Sequence, residues 1–311
     1  MPDALPAHLA DRLARRESNY LLFGLTPPRH SVTAEEAQGI ADVTLERLAG
    51  LDLDGLLIYD IVDESERTDA SRPFPYLPTL DPAEYLAHHL GAWDKSVIVY
   101  RCVGKYTQPQ LETWLHDQDP QRVSTVFVGA ASREMPVETT LAQAQALRSR
   151  SRPAVLLGGV AIPERHAAGA EEHVRLLAKV DRGCSFFITQ VVYDAQAARN
   201  LVSDYYYACR DRGLEPAPVI FTLSVCGSLK TLEFLRWLGV DVPRWMENAL
   251  RHSDDTLEAS SAHCLATAKD LAEFCRSLEM PFGFSVESVS IRRAEIEAAV
   301  VLAGRLRAEV L

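Results

Sequence analysis

The chain is poor in cysteine and has no paired cysteine motif. Its six cysteines, Cys102, Cys184, Cys209, Cys226, Cys264 and Cys275, are scattered over 311 residues. None forms a Cys-x-x-Cys pair, which excludes the common zinc-ribbon and dithiol signatures. A chain of this length buries enough core to dispense with disulfide staples, so reduced, mostly buried thiols and no metal are expected. Long apolar runs are missing too: no stretch reaches the roughly 18 residues that a membrane-spanning helix needs. Residues 1–16 are polar and lack the apolar centre of an export signal, which points to a cytoplasmic protein outside the membrane. Positive charge is in deficit, with 32 bases against 43 acids and a net charge of −11. That balance argues against a general nucleic-acid binder, whose footprint is basic, and leaves a local basic cluster able to hold an anionic small molecule.

What is present is a regular beat. Short apolar runs at 20–25, 55–61, 96–101, 125–129, 154–160, 186–191, 218–223 and 281–286 are spaced as strands. Helical apolar spacing follows at 35–49, 83–93, 109–116, 139–150, 171–180, 195–212, 229–238 and 292–310. The strands are continuously apolar, as expected when both faces are buried. Eight such units in this length predict an α/β protein, a single closed (β/α)8 TIM barrel rather than an open sheet. Residues 1–17 read as an N-terminal extension and 18–311 as the barrel domain. Two insertions break the beat: a polar, proline-rich loop at 64–81, and an extra short helix within 242–255, before a long helix at 256–278. Trp245 is expected to anchor the extra helix.

In such a barrel the chemistry sits where the strands end. The loop after the second strand, Asp60-Ile61-Val62-Asp63-Glu64-Ser65-Glu66-Arg67, puts four acids at that end. Asp60, Asp63 and Glu64 are candidate general acids, because desolvation or a neighbouring carboxylate raises a carboxyl pKa. The competing reading is a solvated rim neutralised by Arg67 and Arg72. Tyr59 and Tyr100 close their strands as stacking surfaces or as packing. Arg101, just past an apolar strand, needs an anionic partner, either a cofactor phosphate or a buried carboxylate. His88 and His89 fall in a helix, away from the strand ends.

Four segments share one further pattern. They are Leu25-Thr26-Pro27-Pro28-Arg29; the block 158–194, with Gly158-Gly159 at its start and Thr189-Gln190 near its end; Gly239-Val240-Asp241-Val242-Pro243-Arg244-Trp245-Met246; and Arg292-Arg293-Ala294-Glu295. On these, in this order, the chain resembles the methylenetetrahydrofolate reductase family over about residues 20–303. The resemblance implies a barrel enzyme of one-carbon metabolism and methionine biosynthesis, acting on a small folate or pterin, and it allows a homo-oligomer. It implies NAD(P)H as hydride source, with FAD as intermediary in most members and direct transfer in the flavin-independent actinobacterial type. By position, Gln190 matches the pterin-binding glutamine, with Tyr100 and Ser132 as further substrate contacts. His166 and Lys179 match residues near the flavin phosphates, and Arg101 is grouped with them.

Three family positions depart from the pattern. The glutamate that protonates the substrate, three residues before Pro27, is Gly24. The pterin-holding aspartate falls on Ala131, unless Ser132 substitutes, and a flavin-contacting tyrosine is Ile162. The expectation is therefore a retained binding half, with the proton-delivering half moved to residues 63–66 or lost; the resemblance to the flavin-independent relatives, which carry acids in this loop, implies Glu64 first. The alternatives are a catalytically degenerate folate- or nucleotide-binding or regulatory protein, or a reductase of a different pterin-like substrate.

Overall fold

The computed structural model describes residues 8–64, 70–130 and 136–311. Its strands are β1 (Tyr20–Leu25), β2 (Gly55–Ile58), β3 (Ser96–Cys102), β4 (Val123–Val128), β5 (Leu157–Ala161), β6 (Cys184–Val191), β7 (Val219–Ser224) and β8 (Phe282–Glu287). All run parallel and close into one barrel in chain order, with β8 paired back to β1. The fold is a single (β/α)8 TIM barrel. Its helices are α1 (Leu9–Ala14), α2 (Ala34–Leu48), α3 (Pro82–His89), α4 (Gln108–Asp117), α5 (Leu141–Ser151), α6 (Pro163–Ala167) and α7 (Glu172–Asp181). They continue as α8 (Ala195–Asp211), α9 (Leu229–Trp237), α10 (Arg244–His252), α11 (Thr256–Ser277) and α12 (Arg293–Glu309).

Local chemistry explains where the helices begin. Thr33, Thr107 and Thr140 each accept from a backbone N–H three residues on, and Glu36, Gln110 and Gln143 return the bond. Such capping boxes satisfy N–H groups that the first helical turn leaves orphaned. Asp81, Asp194 and Asp255 cap α3, α8 and α11 in the simpler way.

Two boundaries differ from the sequence expectation in ways that matter. α6 is an extra five-residue helix between β5 and α7, too short to show an apolar period. β8 runs one residue past its last apolar position, because Glu287 still pairs with Ser224 on β7.

The two faces of the strands serve different cores. Tyr20 and Leu22, Leu57, Ile98 and Tyr100, Val126, Phe186 and Ile188, and Ile220 form a cluster inside the barrel. The alternate residues pack outward against the helices. Gly158 is required by the interior layer: a Cβ there would lie 2.3 Å from the Phe186 ring. Leu9 and Leu13 of α1 are buried in the interior cluster and stopper its N-terminal end.

That end is tied by one carboxylate. Asp54, just before β2, accepts from the Leu21 backbone N–H at 2.7 Å and from Arg307 of α12 at 2.7 Å, and it pairs with Arg12 of α1. At α10 the buried anchors are Met246 and Leu250. Trp245 does not anchor that helix; it is 65% exposed and meets His263 edge-on. All six cysteines are free and buried. Among the described residues no helix is long and apolar enough to cross a membrane.

Replacing Asp54 by alanine leaves two guanidinium groups and an N–H without their shared partner. The expected loss is about 2–3 kcal/mol, read as a lower urea midpoint at unchanged slope. A loss below about 0.5 kcal/mol would place Asp54 among ordinary surface charges.

Candidate active site

A cavity of about 390 Å³ opens at the C-terminal ends of the strands. Its walls come from inward-facing residues at or near the ends of several strands: Tyr59, Tyr100, Val128, Val160, Gln190, Thr222 and Glu287. The size suits one folded-in small molecule rather than a macromolecule.

Glu287 is the most informative member. β8 and β1 are neighbours, with Phe23 opposite Val286, so Glu287 comes beside Gly24. A Cβ on Gly24 would lie 3.0 Å from the Glu287 Cβ, 3.3 Å from its Oε2 and 2.9 Å from the Tyr59 ring. The carboxyl group of Glu287 therefore takes up space that a side chain at position 24 would need. Burial pushes its pKa up to about 7, opposed by hydrogen bonding from the Tyr59 hydroxyl. A carboxyl with that pKa carries a proton for an appreciable fraction of the time at neutral pH, as a general acid requires. Tyr59 and Tyr100 stand beside it with ring centroids 4.8 Å apart, tilted by 58°. Burial raises both hydroxyls above their ordinary range, so both remain neutral.

The opposite wall is cationic. Arg165 of α6 and Lys179 of α7 both line the cavity. The Lys179 ammonium donates to the Val160 carbonyl and lies 3.5 Å from the fully buried Glu172 carboxylate. Burial lowers the Lys179 pKa, with Glu172 opposing. Gln190 projects from β6 with its amide anchored at both ends: its N–H donates to the Leu238 carbonyl at 3.1 Å and its Oε1 accepts the Val191 N–H at 3.1 Å. A primary amide keeps one more N–H and one more lone pair for a ligand.

The other expected residues are distributed as follows. Glu64 lines the cavity, while Asp63 is exposed at the rim. Asp60 is buried and outside the lining; it accepts from the Cys102 backbone N–H at 2.7 Å and pairs with Lys105. The Tyr106 hydroxyl lies between Asp60 at 2.9 Å and Asp81 at 2.7 Å. Arg101 belongs to this same outer network. It pairs with Asp81 at 2.7 Å and stacks over Tyr106, so its anionic partner is a carboxylate of the chain. The alternation of β3 decides this: Tyr100 points in and Arg101 points out. His166 is also outside the lining and bonds Asp204 at 3.0 Å. Ser132, Ala131, Glu66 and Arg67 lie outside the described residues.

Sequence reasoning missed Glu287 and Arg165. The signal for Glu287 was a charge ending an apolar strand, the same signal that singled out Arg101. Its link to Gly24 required knowing that the first and last strands meet.

The cavity at the strand ends, with an acid on one wall and cations on the other, defines a small-molecule barrel site. Residues 142–279 match the family model for methylenetetrahydrofolate reductase. A solved structure of an uncharacterized protein from Clostridium thermocellum is 40% identical, covers 96% of this chain and 99% of its own, and has a TM-score of 0.84. That protein binds two copies of 5-methyl-5,6,7,8-tetrahydrofolic acid. The structure of apo-MsnO8, 13% identical with a TM-score of 0.56 over 94% of this chain and 99% of its own, shares the barrel alone. No curated protein matches the chain. The chain belongs to the methylenetetrahydrofolate reductase family.

The shared space between positions 24 and 287 has a direct consequence. Gly24→Glu alone is expected to overpack the mouth and lower stability by about 1–3 kcal/mol. The double variant Gly24→Glu/Glu287→Gly is expected to recover most of that loss. Urea unfolding of the four-member cycle measures the coupling, and strictly additive effects would show that the two positions do not compete.

Proposed function

We propose that the chain is a reductase of a methylene-tetrahydropterin, with hydride taken from NAD(P)H. The observation that carries this reading is Glu287, a carboxyl with a pKa of about 7 beside the empty position 24 in a family barrel. Glu287 gives its proton to the nitrogen of the methylene bridge, the C–N bond opens, and the resulting iminium carbon accepts a hydride. The sum is one methylene-tetrahydropterin, one NAD(P)H and one proton consumed, and one methyl-tetrahydropterin and one NAD(P)+ formed. Water then reprotonates Glu287. Tyr59 fixes the carboxyl and tunes its acidity, and Gln190 meets the mixed donor and acceptor edge of the pterin. Arg165 and Lys179 attract an anionic portion of substrate or nicotinamide donor. Glu64, on the same lining, is a second acid within the site.

The residues do not fit a bound flavin in the family manner. Ile162 on the cavity lining has no hydroxyl, and His166 is committed to Asp204 outside it. Hydride therefore passes directly from the nicotinamide. The binding of 5-methyl-tetrahydrofolic acid by the 40% identical neighbour supports a folate as the pterin. A cytoplasmic setting and a role in methionine biosynthesis accord with this chemistry.

The test is methylenetetrahydrofolate-dependent oxidation of NADH and NADPH, with and without FAD. Turnover is expected without FAD, and Glu287→Gln is expected to lower kcat about 10²–10⁴-fold. Glu64→Gln, if Glu64 were the acid instead, would carry that loss. Because the acid form of Glu287 is the active one, kcat should fall as pH rises through about 7. Tyr59→Phe removes a hydrogen bond that favours the ionised form, so this limb should move to higher pH. Tight folate binding with no turnover under any donor would overturn the reductase reading in favour of a binding protein.

A further inference from the structure

Beyond the cavity, on the flank formed by α6, α7 and α8, two histidines and an aspartate converge. His166 lies in the last turn of α6, His173 lies in the first turn of α7, and Asp204 lies within α8. The His166 Nε2 is 3.0 Å from the Asp204 Oδ2. The two imidazoles meet edge to face with centroids 5.2 Å apart, and a donor atom of each of the three residues lies within 4.8 Å of the other two. The His166 side chain is 10% exposed, and the Nδ1 atoms of both histidines are buried with no hydrogen-bond partner. Buried polar atoms are ordinarily satisfied, so the unpartnered Nδ1 of His173 is available to a ligand, while that of His166 is the ring nitrogen not engaged with Asp204.

We propose that His166, His173 and Asp204 form a binding site for a divalent transition-metal ion of the zinc type. Two imidazoles and a carboxylate are a ligand set for Zn²⁺ or Co²⁺ at about 2.0–2.2 Å, whereas Mg²⁺ and Ca²⁺ prefer all-oxygen shells. Tetrahedral ligands at such bond lengths stand roughly 3.3 Å apart; the His166 Nε2 and Asp204 Oδ2 are at 3.0 Å, and a ring nitrogen of His173 lies within 4.8 Å of both. The fourth position faces solvent on the side of Asp204, which is 56% exposed, and takes a water molecule.

The role is a clamp. α6 follows directly on β5, and its Arg165 lines the cavity while the next residue, His166, faces away. The link from α6 to α7 includes two left-handed residues, Gly169 at φ 75° and Glu171 at φ 48°. A metal ion holding the end of α6 to α7 and α8 restrains that link and, through it, the Arg165 wall. The proposal does not depend on the reductase reading, because the metal touches no cavity residue.

The experiment uses tag-free, metal-stripped full chain. Co²⁺ is added and its visible ligand-field bands are followed, then Zn²⁺ is added in competition. Wild type should bind one Co²⁺ with four-coordinate bands, release it to one Zn²⁺, and melt a few degrees higher with Zn²⁺ than without. His173→Ala and Asp204→Asn should weaken Zn²⁺ binding by more than the roughly 10–100-fold that loss of an outer-shell partner costs. Both should lose the Zn²⁺-dependent melting shift while keeping the circular dichroism of the metal-free wild type. His166→Ala should act alike; because that residue is far more buried than Asp204, the Asp204 variant decides if it misfolds. Absence of binding at about 100 µM metal, or binding that the substitutions leave unchanged, overturns the site.

Discussion

Closure of the barrel makes the first and last strands neighbours, and the character of the site follows from that contact. In an open sheet of the same order, β1 and β8 would be opposite edges. In the closed barrel Phe23 lies opposite Val286, and the next positions, Gly24 and Glu287, share one volume at the mouth. A glycine that leaves the mouth without an acid on one strand is thus matched by an acid on the adjacent strand. The same closure surrounds Glu287 with protein, and the resulting loss of hydration holds its proton near neutrality. Position, space and acidity are three results of one topological fact.

The cavity is divided by charge. The β8 and β2 side carries Glu287, Tyr59 and Glu64, and the α6 and α7 side carries Arg165 and Lys179. Lys179 is held by the Val160 carbonyl and by Glu172, both part of the barrel wall, so its charge is positioned before any ligand arrives. Preorganised charge of this kind loses little on binding, since the ordering was accomplished during folding. Gln190 follows the same rule, with its amide pinned between the Leu238 carbonyl and its neighbour's N–H. Glu164 extends the scaffold: it is half-buried, desolvation pushes its pKa up to about 7, and it accepts from the Asp241 N–H at 3.4 Å. Glu164 and Gln190 thereby hold the turn after α9 from two sides.

Asp60 and Arg101 show how period-two alternation sorts strand-end residues. Both stand where barrel chemistry is found, and both carry charge, yet they face the helices. There they meet in a network with Tyr106, Asp81 and Lys105 that secures the ends of β2 and β3. Such a network contributes indirectly, by holding Tyr59 and Tyr100 in the adjacent inward positions. A single-residue shift separates a wall residue from a brace.

The sequence by itself determined the fold class and most helix starts, because apolar runs and their spacing are local and the number of strand-helix units follows from counting them. It also identified Gln190, Lys179, Tyr100 and Glu64, all of which line the cavity, from their places at strand ends and from family resemblance. It marked the empty position at Gly24 and, by family resemblance, named the acids of the loop after β2 as candidates, without access to a strand neighbour as remote in sequence as Glu287. Only the tertiary structure decided that Glu287, 263 positions away, stands beside Gly24 on the same cavity lining as Glu64, that Arg101 has an internal partner and that His166 faces Asp204. The physical reason is common to all three: pairing across a closed barrel and the side to which a residue points depend on register. Register is a property of the assembled sheet and is not carried by any one segment.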